Sequence, residues 1–119
     1  MARNAPSIDA YGDGGFRLAG EWRDGSVLIV DDEPRSWAVS APGELTLATL
    51  QPILEAGREG VEMVLLGMGA RNALPPREVR EGLRAAGIGL EFLDTPGAAK
   101  LYNLLTAEGR RLAAALIAV

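Results

Sequence analysis

The chain has 119 residues, of which 48% are hydrophobic and 24% are charged, and these values are typical of a single globular domain covering residues 1–119. It contains neither His nor Cys, which excludes the usual zinc ligands, the commonest general base and the thiolate nucleophile. A formal net charge of -4 argues against nucleic-acid binding, which normally requires a basic face.

The N-terminal segment, residues 1–14, mixes Asp, Pro and Gly without periodicity and is predicted to be an extended lead-in. It has no apolar core of the length that a secretory signal requires. The longest apolar run, "LAAALIAV" at 112–119, is too short to span a bilayer. We therefore expect a cytoplasmic protein without a membrane span.

The segments "GFRLAG" and "SVLIVD" are both typical of short strands, and Asp24-Gly25 between them is a hairpin signal. The sequence thus predicts an N-terminal β-hairpin over residues 15–31. A third extended piece is expected at 36–40, where Trp37 is predicted to be a core residue. The acidic residues Asp31 and Asp32 are interpreted as solvated turn residues.

Apolar residues recur at helical spacing over 45–56, and Pro52 indicates that the regular helix begins near it, after an irregular or 3₁₀ turn. The run at 61–67 is typical of a strand covered on both faces. A short amphipathic helix is predicted over 76–87. The alternating segment 88–94 follows as a strand with one more exposed side.

The last part of the chain predicts a helix and a buried strand. Thr95 is expected to cap the helix, with Pro96 at its first position. Gly109 ends the helix, and the apolar segment that follows it forms the strand. Helices joining strands over short connections predict an α/β fold with neighbouring, largely parallel strands.

In such a sheet, ligands tend to bind beyond the carboxyl ends of the strands, where the loops 67–76 and 94–97 meet. We expect a candidate anion-binding site there, formed by Gly67, Gly69, Arg71, Asp94, Thr95 and Asn103. The alternative is that the glycines only let the chain leave a buried strand. Asn72 stands where a dinucleotide fingerprint has its third glycine, and no P-loop is present. No catalytic residue, metal site or cofactor is predicted.

The segments "IDAYGDGGFRLAG", "LLGMGARNALPP" and "AAGIGLEFLDTPGAAKLYNLLTAEGRRLAAALI" resemble the domain-of-unknown-function family that includes mitochondrial complex I assembly factor three and small bacterial relatives. This resemblance implies a three-layer, MTH938-like fold. Its central mixed sheet has the order 2-1-5-3-4, with flanking helices and the last strand in the middle.

The resemblance also implies a non-catalytic protein-interaction domain, because the mitochondrial relatives bind partner proteins during assembly of respiratory complex I. Partners would then be respiratory-complex subunits or other assembly factors. Two alternatives stay open: a protein or weak enzyme that binds an anionic small molecule at the candidate site, and a homo-oligomer whose apolar surface serves self-association.

Overall fold

The computed structural model describes residues 5–119, which form eight strands and three α-helices. The strands are β1 (Ile8–Gly12), β2 (Gly15–Leu18), β3 (Glu21–Asp24), β4 (Val27–Val30), β5 (Glu33–Ser36), β6 (Met63–Gly67), β7 (Gly89–Leu93) and β8 (Leu112–Leu116). The helices are α1 (Gln51–Gly60), α2 (Arg77–Ala85) and α3 (Thr95–Ala107), and two 3₁₀ turns, Pro42–Glu44 and Ala48–Leu50, precede α1.

The central sheet has five strands in the order β5-β4-β8-β6-β7. Strand β8 pairs antiparallel with β4 and parallel with β6, and β7 lies parallel to β6 at the edge. Counting from β4, this is the order 2-1-5-3-4, so the predicted mixed sheet with its last strand in the middle is confirmed. All five residues of β8 are buried, as a central strand requires.

The central sheet separates two hydrophobic cores, because successive side chains of a strand point to opposite faces. In β4, Leu28 and Val30 face a core formed with α1 and α2. Val27 and Ile29 face a second core formed with α3 and the sheet β1-β2-β3. The three predicted layers are therefore α1 and α2, the central sheet, and α3 with the small sheet.

The pairing predicted between the two segments of residues 15–31 is wrong, although hairpins do form near the N-terminus, between β1 and β2 and between β2 and β3. Strand β2 pairs with β1 and β3, while β4 forms its hairpin with β5. The turn of that hairpin is Asp31-Asp32, whose φ values of 54° and 64° match the left-handed turn that two-residue hairpins prefer. Asp31 and Asp32 are thus turn residues, as predicted, whereas Asp24 ends β3 and Gly25 leads the chain onward into β4.

Two further boundaries differ from the prediction. The lead-in contains a strand, β1, because Ile8–Gly12 pairs with β2; residues 1–4 of that predicted segment lie outside the described residues. The extended piece expected at 36–40 lies earlier, at Glu33–Ser36. Trp37 is a core residue, as expected, with 8% of its surface exposed and its indole N–H bonded to the Thr49 carbonyl at 2.8 Å.

Helix α1 begins as predicted, at Gln51 beside Pro52 and directly after the 3₁₀ turn Ala48–Leu50. Its regular part ends at Gly57, which has φ 66° and ψ 178°. This conformation suits glycine because no Cβ is present to clash.

Candidate functional site

The loop from Gly67 to Pro76 leaves the carboxyl end of β6 and passes against the start of α3. Gly67 is buried here, and a Cβ at this position would lie 2.9 Å from both Thr95 Oγ1 and Leu116 Cδ2. Gly69 is also buried and has a φ of 104°, which side chains rarely tolerate. Both glycines are therefore explained by close packing and backbone conformation.

Thr95 connects this loop to the central sheet by hydrogen bonds. Its side chain is fully buried, and its hydroxyl donates to the Ile117 carbonyl at 2.7 Å while accepting from the Gly69 N–H at 3.0 Å. The Thr95 N–H in turn donates to the Gly69 carbonyl at 2.8 Å. One residue thus links the glycine loop, α3 and the segment following β8.

Asp94, rather than Thr95, caps α3. The Asp94 carboxylate accepts from the Gly97 N–H at 2.7 Å, and its carbonyl accepts from the Ala98 N–H at 2.9 Å. The predicted cap was one residue too late, because the Thr95 side chain is turned into the core. The Thr95 N–H is bonded to the Gly69 carbonyl, and Pro96 has no N–H group. The N–H groups in the first turn of α3 are therefore all hydrogen-bonded within the chain.

Beyond Gly69 the loop turns outward and presents Arg71 and Leu74. Leu74 is 65% exposed, the largest value among the large hydrophobic residues that the structure describes as exposed. Arg71 is exposed and forms no hydrogen bond or ion pair with any residue in the range 5–119. We call residues 70–76 the contact loop. Leu74 was not predicted as a site residue from the sequence, because its only signal there is a single leucine directly before two prolines.

The contact loop is held in place at several points. The Asn72 amide donates to the Phe92 carbonyl at 3.4 Å, and its side-chain oxygen accepts from the Ala73 N–H at 2.9 Å. The Arg80 guanidinium donates to the Pro75 carbonyl at 3.0 Å, and Pro75 is buried. The exposed side chains of Arg71 and Leu74 therefore extend from a backbone that is held in one position.

Asn103 does not join the other candidate residues. It lies eight positions after Thr95 on α3, about 12 Å along the helix axis. Its amide donates to the Ile8 carbonyl and accepts from the Ile8 N–H, both at 2.9 Å. Asn103 also lines an open pocket of about 250 Å³ with Ala5, Ser7, Thr106 and Ala107. The structure gives Asn103 a role in holding β1 against α3.

The carboxylates form no metal site in the described part of the chain, where no group of three or more acidic residues could hold a metal ion. The Ser7 hydroxyl and then the Gly20 N–H lower the pKa of Asp9 by hydrogen bonding. The Arg110 guanidinium, 2.8 Å from Glu62, lowers the pKa of that carboxyl. These two carboxylates are ionised structural acceptors.

None of the helices within residues 5–119 combines the length and the apolar character that a bilayer crossing requires.

Solved structures of other proteins share this fold. An outer membrane protein from Bartonella henselae is similar to the whole chain, with 31% identity, a TM-score of 0.91 and coverage of 99% of that protein. A Mth938-like domain from Bordetella pertussis has 29% identity and a TM-score of 0.82 over 99% of this chain and 89% of that one. The MTH938-like fold expected from the sequence is confirmed.

Relatives of known sequence include an uncharacterized protein of Rhodobacter capsulatus, 40% identical over 92% of this chain and 82% of that protein. The NADH dehydrogenase (ubiquinone) 1 alpha subcomplex assembly factor 3 of Danio rerio is 32% identical over 92% of this chain. The chain spans only 63% of that assembly factor's length. Residues 8–117 match the family described as protein of unknown function (DUF498/DUF598), and the chain belongs to this family.

Proposed function

We propose that the chain is a non-catalytic protein-interaction domain that binds a partner during assembly of a membrane-bound respiratory complex. The first support is its similarity to proteins named as NADH dehydrogenase assembly factors. The second is the shortage of catalytic groups, because the sequence lacks His and Cys. The partner would be a subunit of the complex or another assembly factor, met on the cytoplasmic side.

The observation that carries the proposal is the exposure of Leu74 and Arg71 on the contact loop. Leu74 is 65% exposed, and a partner that covers its side chain removes apolar surface from water, which stabilises the complex. Arg71 has no partner within the described residues, and Arg is enriched among the residues that dominate binding energy. Because the loop backbone is fixed by Asn72 and Arg80, binding loses little conformational freedom.

The proposal is tested in the native host by deleting the gene and complementing it with variants. Leu74→Ser changes the contact loop, and Leu104→Ser is the matched control, because Leu104 is similarly exposed at 59% but lies on α3. The measurement is the amount of assembled NADH:ubiquinone oxidoreductase on native gels, with cross-linking to capture the partner.

We expect deletion to reduce the assembled complex, the wild-type chain and Leu104→Ser to restore it, and Leu74→Ser to fail. Cell fractionation of the tagged chain checks the proposed location. If the complex assembles normally without the chain, the assembly role is wrong. If Leu74→Ser complements fully, the contact loop is not the binding surface.

The alternative, binding of an anionic small molecule, rests on the guanidinium of Arg71, which has no partner among residues 5–119. Against it, the amides of Gly69, Thr95 and Gly97 are already bonded within the chain. A thermal-shift screen with nucleotides, phosphorylated metabolites and carboxylates decides the matter. A ligand at one hundred times its dissociation constant would add about 2.7 kcal/mol of stability, and Arg71→Ala would abolish the shift. A uniformly silent screen contradicts this alternative.

A further inference from the structure

The two sheets have four outer edges, and three of them are obstructed. On β5, Pro34 supplies no N–H to an incoming strand. On β1, both backbone groups of Ile8 are bonded to the Asn103 amide. On β7, Asn72 occupies the Phe92 carbonyl, and Glu91 is the only charged residue of that strand. The remaining edge is that of β3.

At Trp22, the backbone N–H and C=O of β3 point outward and have no partner within residues 5–119. Leu18 and Glu21 flank the two-residue turn between β2 and β3, and the Gly25 N–H donates to the Gly14 carbonyl at 2.7 Å. Hydrogen-bonded pairs therefore recur at every second residue, which leaves the Trp22 N–H and C=O facing away from β2. Trp22 thus presents one donor and one acceptor to an added antiparallel strand.

The charges of β3 suit a second copy of the same strand. In an antiparallel pair centred on Trp22, the two Trp22 residues exchange both backbone hydrogen bonds. Glu21 then lies directly opposite Arg23 of the second copy, and the reverse pair forms by symmetry. The side chains of Glu21 and Arg23 form no hydrogen bond or ion pair with any residue in the described range. Opposite charges in directly facing positions stabilise a strand pair.

The side chain of Trp22 adds an apolar contact to this pair. Its ring lies over Gly15, where a Cβ would be only 2.7 Å from Trp22 Cζ2, and the indole N–H donates to the Asp24 carboxylate at 2.8 Å. The ring is thereby held in one position although Trp22 is 45% exposed. In the pair centred on Trp22, the two rings emerge on the same face, where facing aromatic residues attract each other.

We propose that the chain forms a two-fold symmetric dimer in which two β3 strands pair antiparallel about Trp22 and join the small sheets into one six-stranded sheet. This surface is isologous, because each copy supplies the same residues. The β7 edge offers no equivalent, since self-pairing there brings no opposite charges together. The dimer does not depend on the proposed function, because it concerns only the purified chain.

Sedimentation equilibrium of the purified chain tests the dimer, and because small interfaces are weak, the concentration series extends to about 0.5 mM. The variants are Glu21→Arg, Arg23→Glu and the double swap, with Glu55→Arg on α1 as a control that makes the same charge change at an exposed position. Circular dichroism confirms that each variant is folded.

We expect the wild-type chain and Glu55→Arg to dimerise equally. Each single β3 variant should dimerise at least about tenfold more weakly, because two attractive pairs become repulsive, and the double swap should restore the affinity. A wild-type chain that stays monomeric throughout the series overturns the proposal. So do single variants that dimerise like the wild type, or a double swap that fails to restore dimerisation. None of these results alters the complementation test of the contact loop.

Discussion

Replacing Thr95 by Val tests whether one buried hydroxyl holds the glycine loop to the sheet. Valine keeps the shape of threonine but has a methyl group in place of the hydroxyl, which bonds to the Gly69 N–H and the Ile117 carbonyl. Both groups would be left in the interior without this partner. An unsatisfied buried group costs about 1–3 kcal/mol, so two such groups should lower the free energy of unfolding by roughly 2–6 kcal/mol.

Urea unfolding followed by circular dichroism measures this change. Thr106→Val is the matched control, because the Thr106 hydroxyl also donates to a carbonyl, that of Tyr102, at 2.7 Å. That carbonyl lies inside α3 and keeps its helical hydrogen bond, so the control should change the free energy of unfolding by less than about 0.5 kcal/mol. Thr95→Ser retains the hydroxyl and should cost about 1 kcal/mol for the lost methyl group.

If Thr95→Val is no more destabilising than Thr106→Val, the two hydrogen bonds do not stabilise the fold and the reasoning is refuted. A second outcome would also count against it. If Thr95→Ser, which keeps the hydroxyl, loses as much free energy as Thr95→Val, the loss is not specific to the hydroxyl.

Three further predictions concern neighbouring residues. Gly67→Ala should lower the free energy of unfolding by roughly 1–3 kcal/mol, because its Cβ would lie 2.9 Å from Thr95 Oγ1; an unchanged urea midpoint contradicts this. Asp94→Ala should cost about 1 kcal/mol by removing the cap of α3, and Asp94→Asn should recover most of it. Glu62→Gln should cost at most about 1 kcal/mol at neutral pH, since the pair with Arg110 is partly exposed. Because the folded pKa of Glu62 is lowered, its stabilisation exists above the unfolded pKa and disappears as pH falls through the folded value. The two proteins should therefore become equally stable in acid, which a pH series of thermal unfolding checks.

The central sheet was predictable because its strands differ in burial along the sequence. Strand β8 is apolar at every position, as a central strand must be, while β7 alternates and carries Glu91, as an edge strand does. The order of the strands came from the family resemblance. The order of the predicted helices and strands indicates an α/β fold, but it does not show which strand lies in the middle of the sheet.

The N-terminal third was mispredicted because pairing is non-local and two turn signals competed. Asp24-Gly25 has the composition of a hairpin turn, whereas the turn of the observed hairpin is Asp31-Asp32, which contains no glycine. Local sequence does not reveal that β2 already has partners on both sides. The same segment therefore yielded β2 and β4, missed β1 and β3, and gave β2 and β4 the wrong neighbours.

The candidate site was only partly predictable for a similar reason. The sequence placed Gly67, Gly69 and Thr95 at the same edge of the sheet, and the structure brings them into contact. It could not show that Thr95 is bonded to Ile117, 22 residues away, which turns its side chain inward and leaves the cap to Asp94. Nor could periodicity show that the Asn103 side chain is bonded to the backbone of Ile8, which lies 95 residues earlier in the sequence.

The central position of β8 affects how the chain folds as it is synthesised. The β4-β5 hairpin and the β6-β7 pair are connected within the sheet only through β8, which follows all four of these strands in the sequence. A nascent chain that still lacks residues 112–116 therefore holds two half-sheets with exposed edges on β4 and β6, surfaces prone to wrong pairing. Completion of the sheet must wait until β8 has left the ribosome, and protease resistance of chains stalled before and after β8 measures this step.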